Sequence, residues 1–330
     1  MRIVLDAMGT DDAPRAEVAG ALEALGSFED DVEIMLVGDR SIIEAEVAAH
    51  GPKPPRLLIH HAPDRVTAAD SPASVVRKKP DSSIVVGLRL QQQGEADAFV
   101  SAGSTGAVMA GSLFILRPLP GVARPAIGTI LPTSQEPCLL VDAGANVDCK
   151  PQHLVQFARL GHTYVQDLMG RASPRIGLLN IGEEPGKGDE LTLETHRLLA
   201  DQEGINFVGN IEGRDIIKGV CDVVVCDGFV GNVLLKFYES VAAFIVGLLK
   251  KELSQLGEGS HDLEHVFRVL DYAEYGGAPL LGVGGVSIIC HGGSPPKAIR
   301  NALAVAAQAV RSGMVGHSAR NLSRADQEGS

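Results

Sequence analysis

The chain has 330 residues, 45% of them hydrophobic, which is enough apolar material for the core of one or two domains. This composition excludes a disordered chain, a collagen-like fibre and a small disulfide-stapled fold. The net charge of −12 opposes general nucleic-acid binding, and the five scattered cysteines are typical of reduced, buried thiols in a cytosolic protein.

Short apolar runs alternate with amphipathic runs along almost the whole chain. Their apolar residues do not alternate with polar ones, as expected for parallel strands that are covered on both faces. The pattern predicts a single α/β domain over residues 1–330, with a mostly parallel sheet and helices on both faces in three α/β/α layers. The predicted strands are 2–7, 32–37, 56–61, 98–101, 127–131, 138–142, 175–181, 206–208, 223–227 and 286–290.

Loops rich in glycine, serine, asparagine and aspartate follow these strands. Open α/β sheets bind ligands at the carboxyl ends of their strands, so the loops predict one polar cleft. One of them, Ser101-Ala-Gly-Ser-Thr-Gly106, opens a helix, where backbone N–H groups favour an anion. Its candidate phosphate-binding residues are Ser101, Gly103, Ser104, Thr105 and Gly106. A tight turn whose hydroxyls cap the helix explains the same sequence equally well.

The loop from Gly182 to Gly188 differs from a nucleotide-binding P-loop. Only three residues separate Gly182 from Gly186-Lys187, and Gly188 stands where a hydroxyl residue is needed. No dinucleotide fingerprint opens a helix and no histidine pair has metal-ligand spacing, so neither a cofactor nor a metal is expected. Lys187 could hold an anion, although an exposed loop lysine is more often a solvated charge.

Two further motifs carry polar or basic groups. In Asp227-Gly-Phe-Val-Gly-Asn232, both Asp227 and Asn232 are candidates to enter the cleft, and Lys236 would share a helical face with Asn232. An Asx turn closed by Asp227 is the alternative. Arg77-Lys78-Lys79 is the densest basic triplet, which indicates an acidic ligand or partner, although such runs are commonly solvated.

Residues 233–273 predict a helical hairpin that protrudes from the domain. The middle of its first helix is apolar nearly all round, so it needs cover from a second subunit, another helix or a lipid surface. Lys250 and Lys251 at its end fit a membrane surface. The polar residues 316–330 predict a frayed end. The candidate membrane or dimer contacts of the hairpin are Phe244, Ile245, Leu248, Leu249 and Leu253.

Taken together, these blocks resemble the bacterial fatty acid/phospholipid synthesis protein, the acyl-carrier-protein:phosphate acyltransferase (PlsX) family. Each block is weak alone, but the ordered set is specific and spans nearly the whole chain. Thr10, Ser104 and Gly284 depart from the usual family pattern, and Ser104 reaches less far than the usual asparagine. The matching segments are 5–9, 77–79, 82–83, 101–106, 142–146, 180–183, 212–215, 227–232, 276–282 and 288–292.

The resemblance implies a phosphotransacetylase-like fold and reversible transfer of a fatty acyl group from acyl carrier protein to inorganic phosphate. The product, acyl phosphate, would feed phospholipid synthesis. The resemblance also implies a homodimer in the cytoplasm or at the inner face of the membrane. There the hairpin would meet the lipid surface or a membrane-bound glycerol-3-phosphate acyltransferase.

Site roles follow from the same resemblance. The expected catalytic residues are Lys187, Asn180, Asp227, Asn232 and His291. Arg77, Lys78 and Lys79 would dock the acidic carrier protein. We expect direct attack of phosphate on the thioester, with His291 as proton donor to the thiolate, rather than a path through acyl-cysteine or acyl-serine. Two alternatives stay open: a phosphotransacetylase that uses coenzyme A, and a non-catalytic module that docks acyl carrier protein at a membrane.

Overall fold

The computed structural model of this chain describes residues 1–67, 69–256 and 270–328. Within them lie eleven strands and eleven α-helices. The strands are β1 (Arg2–Asp6), β2 (Glu33–Gly38), β3 (Leu57–His61), β4 (Ala98–Ser101), β5 (Ala126–Leu131), β6 (Cys138–Val141), β7 (Arg175–Leu179), β8 (Asn206–Ile211), β9 (Val223–Val225), β10 (Ala278–Leu281) and β11 (Val286–Ile289). The helices are α1 (Arg15–Ser27), α2 (Arg40–Ala49), α3 (Val75–Lys78), α4 (Ser83–Gln92), α5 (Thr105–Ile115), α6 (Pro151–Met169), α7 (Glu190–Ala200), α8 (Gly213–Lys218), α9 (Gly228–Leu256), α10 (Pro296–Arg311) and α11 (Met314–Glu328).

The strands form one sheet in the order β3-β2-β1-β4-β11-β10-β5-β6-β9-β7-β8. One parallel group contains β3, β2, β1, β4 and β11, and a second contains β6, β9, β7 and β8. Between them, β10 and β5 pair antiparallel with each other and with their outer neighbours. Because three antiparallel pairings separate the two groups, the groups run in opposite directions. The predicted mostly parallel sheet is confirmed.

Two apolar layers cover the sheet, one on each face. Along β1, Leu5 belongs to one layer and Val4 to the other, because successive side chains of a strand point to opposite faces. Helices α1, α6 and α10 contribute to the first layer, with Phe157 at its centre. Helices α4 and α5 contribute to the second, which contains Phe99. This arrangement confirms the three α/β/α layers.

All ten predicted strands are present, with ends that differ by at most three residues. The strand that was not predicted is β10. It has four residues, contains Pro279 and lies between Gly277 and Gly282, so its sequence is typical of a loop. Its first two residues pair with β11 and its last two with β5, and it therefore joins the two parallel groups.

The C-terminal residues form a helix rather than the frayed end predicted from residue 316. Helix α11 places Met314 and Leu322 in the core against α6, with 5% and 4% of their surface exposed. Asn321 donates from Nδ2 to a threonine hydroxyl of α6 at 3.1 Å. Two widely spaced apolar residues give little periodic signal in an otherwise polar stretch, so the sequence alone does not indicate this helix.

The apolar helix predicted from residue 233 begins earlier, at Gly228, and continues to Leu256. Residues 228–251 are long and apolar enough to cross a membrane by length and composition alone, with a mean hydropathy of 1.6, and only 6% of the apolar window is buried. The second part of the predicted hairpin, residues 257–269, lies outside the described residues.

Candidate active site

A cavity of about 660 Å³ lies where α9 crosses the ends of several strands. Thr105 follows β4, Ala143 follows β6 and His291 follows β11, and all three line the cavity. Asn232 enters it from α9, whose first residues follow β9. The carboxyl ends of the two oppositely directed groups of strands therefore face each other across one cavity, and the predicted cleft exists for these four loops.

The N-terminus of α5 opens into this cavity at Thr105, which is exposed. The N–H groups of Thr105, Gly106 and Ala107 lie in the first turn, where the helix itself supplies no acceptor. Ser104 precedes the helix, but its side chain does not cap it. The arrangement leaves donors and the positive end of the helix dipole facing the cavity, as an anion site requires.

Ser101 and Gly103 support this loop from below. Ser101 is fully buried, and its Oγ donates to Oδ2 of Asp6 at 2.6 Å and accepts from the Gly103 N–H at 3.0 Å. Burial raises the pKa of Asp6, while the Ser101 hydroxyl opposes that rise. The Ser101 hydroxyl and the Gly103 N–H therefore bond to groups of the protein and support the loop, and the role of both residues as phosphate contacts stays a prediction.

Gly106 allows a neighbouring turn to close over the start of α5. A Cβ at this position would lie 2.8 Å from Cγ of Pro72, closer than real Cβ contacts come. The turn formed by Pro72–Ser74 leads directly into α3, which carries the basic triplet and also packs on α5. The anion site and the basic surface are therefore neighbours.

Within the basic triplet, Arg77 and Lys78 are exposed, but Lys79 is engaged. Its Nζ donates to Oδ2 of Asp70 at 2.7 Å and to the Arg65 carbonyl at 2.8 Å. This contact lowers the pKa of Asp70 to about 2. Lys79 therefore holds the segment before α3, whereas Arg77 and Lys78 are the exposed members of the triplet, and docking of a carrier protein by the triplet stays a prediction.

His291 is exposed and lines the cavity. Its Nδ1 lies 3.1 Å from the Gly293 N–H and accepts from it. A neutral imidazole that accepts at Nδ1 carries its proton on Nε2, which makes Nε2 a donor. The adjacent Cys290 lies in the cavity wall, where burial raises the pKa of its thiol to about 12. The site therefore supplies a hydrogen-bond donor at His291 and disfavours a thiolate nucleophile at Cys290.

Asp227 and Asn232 have different roles. Oδ1 of Asp227 accepts from the N–H groups of Phe229 at 2.9 Å and Val230 at 3.1 Å, so the carboxylate caps α9. These contacts are those of the Asx-turn alternative, in which Asp227 positions the helix, and its catalytic role stays a prediction. Asn232, one turn later, is exposed and faces the cavity.

Asn180 and Lys187 belong to a different loop. The side chain of Asn180 bridges it, because Nδ2 donates to the Lys187 carbonyl at 3.0 Å and Oδ1 accepts from the Ile181 N–H at 2.8 Å. Lys187 is exposed, and neither residue lines the cavity. The described contacts make Asn180 a loop-closing residue and place Lys187 outside the cavity wall, and the catalytic roles of both stay predictions.

Lysines in the cavity wall come from α9 instead. Lys236 and Lys250 line the cavity, and Nζ of Lys236 pairs with Oε2 of Glu239 at 2.8 Å. Lys236 lies four residues after Asn232, so the helical spacing places both on one face. The spacing predicts Lys236 beside Asn232, but nothing local in the sequence indicates that Lys250 reaches the same cavity.

The opposite face of α9 is exposed. Phe244, Ile245 and Leu248 are 65%, 38% and 45% exposed, as expected for the predicted contact residues, whereas Leu249 is half-buried. For Leu253 the structure describes only the backbone. Side chains that extend this exposed apolar stripe towards the start of the helix are Phe229, Val233 and Phe237.

Comparison with known proteins identifies the family. Residues 1–317 match the family model described as "Fatty acid synthesis protein". This chain belongs to that family. Relatives named phosphate acyltransferase include one from Desulforamulus reducens, 52% identical over 322 residues that cover 96% of this chain and 95% of the relative. Another from Heliobacterium modesticaldum is 51% identical and covers 96% of each chain.

Solved structures show the same fold at low identity. The EutD phosphotransacetylase from Staphylococcus aureus has a TM-score of 0.63 and 16% identity, and the match covers 94% of both chains. A branched-chain phosphotransacylase from Enterococcus faecalis has a TM-score of 0.58 and 15% identity, covering 94% of this chain and 99% of that one. The expected phosphotransacetylase-like fold is confirmed for this member of the fatty acid synthesis protein family.

Proposed function

We propose that this phosphate acyltransferase transfers a fatty acyl group from acyl carrier protein to inorganic phosphate, giving acyl phosphate and free carrier thiol. The observation that carries the proposal is the N-terminus of α5 at one end of a cavity that is otherwise largely apolar. The reaction needs this combination, because it brings a small anion against the carbonyl of a long hydrocarbon chain.

In the proposed mechanism, phosphate sits at the first turn of α5, held by the N–H groups of Thr105, Gly106 and Ala107. A phosphate oxygen forms a bond to the thioester carbonyl carbon, and the C–S bond breaks to release the carrier thiolate. The proton of the phosphate hydroxyl passes through the His291 imidazole to that thiolate, so the carrier leaves as a thiol and the acyl phosphate as a dianion. Asn232 faces the same space and is placed to donate its amide to the developing oxyanion.

Direct transfer is favoured over a cysteine intermediate. Cys290 lies in the cavity wall, and its raised pKa of about 12 leaves almost no thiolate at neutral pH. Holding phosphate and thioester side by side can lower the barrier by several kcal/mol without a covalent intermediate.

The experiment combines purified protein, hexadecanoyl acyl carrier protein and inorganic phosphate, and traps acyl phosphate with hydroxylamine. We expect hydroxamate and free carrier thiol in equal amounts, and neither when phosphate is omitted. A second series replaces the carrier with coenzyme A. Equal use of hexadecanoyl-coenzyme A would favour the phosphotransacetylase alternative, and retention of the acyl carrier protein without thioester loss would favour the docking module.

We also propose that the enzyme is a homodimer in the cytoplasm that associates with the inner face of the membrane. The exposed apolar stripe of α9, which includes Phe237 and Phe244, supports a partner there. A membrane-bound glycerol-3-phosphate acyltransferase could then take acyl phosphate from the same surface. Phe237→Asp and Phe244→Asp distinguish the contacts: a fall in molecular mass by light scattering indicates the subunit interface, and loss of vesicle flotation at unchanged mass indicates lipid contact.

A further inference from the structure

From the anion site, the cavity continues along the inner face of α9. The α9 side chains that line it recur every three or four residues, which is the spacing of one helical face. Across the cavity lies strand β5. The apolar lining residues are Leu235, Tyr238, Ala242 and Val246 from α9 and Ile127, Ile130 and Leu131 from β5. The mainly apolar walls on both sides favour a hydrocarbon occupant in this part of the cavity.

Most polar lining groups lie at the two ends of the cavity. Thr105, Asn232 and His291 mark the end where the reaction is proposed, and Lys250 and Asp271 mark the far end. Between the ends, Lys236 and Glu239 pair with each other on α9, and Thr129 lies on β5. The distribution fits an occupant with a reactive polar head and a long apolar body. A fatty acyl thioester has this chemistry, and its carbonyl must lie beside the phosphate.

The length of α9 gives a scale for that occupant. With a rise of 1.5 Å per residue, Ala242 lies about 15 Å and Val246 about 21 Å along the helix from Asn232. An extended alkyl chain advances about 1.25 Å per carbon, from a C–C bond of about 1.5 Å at a tetrahedral angle. Ala242 would therefore flank roughly the twelfth carbon, and Val246 roughly the sixteenth or seventeenth.

We infer that the apolar part of the cavity holds the acyl chain and that Ala242 sets how long a chain the enzyme accepts. The inference rests on the proposed function, because the phosphate site fixes where the acyl head lies. Ala242 is buried, with 6% of its surface exposed, although it lines open space. Ala242 and its neighbour Ala243 are the small lining side chains between Tyr238 and Val246, and of the two Ala242 is the buried one, so added bulk at Ala242 narrows the passage beyond it.

The test compares Ala242→Val and Ala242→Phe with the wild type, using octanoyl, dodecanoyl and hexadecanoyl acyl carrier proteins. We expect Ala242→Phe to turn over octanoyl carrier within about twofold of the wild-type rate and hexadecanoyl carrier about tenfold or more slowly. The hexadecanoyl rate of Ala242→Val should lie between those of Ala242→Phe and the wild type. Val241→Phe is the matched control, because Val241 does not line the cavity and the next residue of a helix turns about 100° away. It should leave the ratio of the two rates unchanged.

The inference would be overturned if the ratio of the hexadecanoyl rate to the octanoyl rate were unchanged in both Ala242 variants, including the case in which all rates fall by the same factor. Binding of the same carriers is measured in parallel by fluorescence anisotropy, without phosphate. If the wild type bound long chains, Ala242→Phe bound only short ones and no chain were consumed, the proposed function would fail while the acyl channel stood. Turnover with no chain-length dependence in either variant would reject the channel and leave the proposed function intact.

Discussion

Glu17 on α1 is fully buried, and its protonation should make the stability of the protein depend on pH. Its Oε1 accepts from the Thr10 N–H at 2.7 Å and its Oε2 from the Thr10 hydroxyl at 2.9 Å. Burial nevertheless raises the pKa of Glu17 from 4.5 to about 7. Asp11, the residue after Thr10, donates its N–H to the Gly292 carbonyl at 2.9 Å. Through Thr10 and Asp11, the carboxyl group of Glu17 therefore supports the loop that carries His291.

The direction of the effect follows from proton binding. Between pH 4.5 and about 7 the folded chain holds a proton on Glu17 that the unfolded chain has lost. The contribution of Glu17 to the free energy of unfolding is therefore fully present below its unfolded-state pKa of 4.5. It is lost as pH rises through the folded-state pKa of about 7. A difference of about 2.5 between the two pKa values corresponds to a loss of about 3 kcal/mol in the free energy of unfolding.

Glu17→Gln removes this titration and keeps an acceptor for the Thr10 N–H. Urea unfolding at several pH values between about pH 5 and pH 8 should show the variant gaining about 3 kcal/mol relative to the wild type as pH rises. Glu23→Gln, at an exposed carboxylate of the same helix, is the control and should show no such trend. Parallel pH dependences for wild type and Glu17→Gln would refute the raised pKa of Glu17.

Three further predictions concern the site. Thr105→Glu places a negative charge at the start of α5 and should raise the KM for phosphate about tenfold or more. Ser134→Glu, at an exposed position, is the control and should leave this KM unchanged. An unchanged KM in Thr105→Glu would show that phosphate binds elsewhere. His291→Asn should lower kcat about a hundredfold in thiol-release assays with less effect on the KM for phosphate, and full activity would exclude it as proton donor. Replacement of Arg77 and Lys78 by glutamate should raise the KM for the carrier at low salt, and should raise it less at high salt. Arg40→Glu on α2 is the control and should leave the KM for the carrier unchanged.

Strand positions were predictable because each is a short apolar run, and Ala98–Ser101 has the ends that its sequence predicts. The relative direction of the two groups of strands was not predictable, because it depends on β10. The sequence of β10 contains Pro279 and is flanked by glycines, so it is typical of a loop. The sequence pattern alone therefore indicated one cleft but not that strand ends of opposite direction face each other across it.

The site was predictable at the level of loops and less so at the level of atoms. Loop 101–106 does reach the cavity through Thr105, but the hydroxyl of Ser101 donates to Asp6 on β1 and the amide of Gly103 donates to Ser101. Lys79 has the same charge as its exposed neighbour Lys78, and only the position of Asp70 distinguishes them. Such partners lie far apart in sequence or depend on loop conformation, so residue type and spacing do not determine them.

The central claim is that phosphate bound beside the acyl chain attacks the thioester directly. Direct attack is tested by a single-turnover experiment with excess enzyme and radiolabelled hexadecanoyl acyl carrier protein, in which samples are quenched at successive times. Without phosphate, we expect all label to stay on the carrier. After phosphate is added, we expect the label to appear as acyl phosphate at the rate of thiol release. Label bound covalently to the enzyme, or thioester loss before phosphate is added, would contradict it.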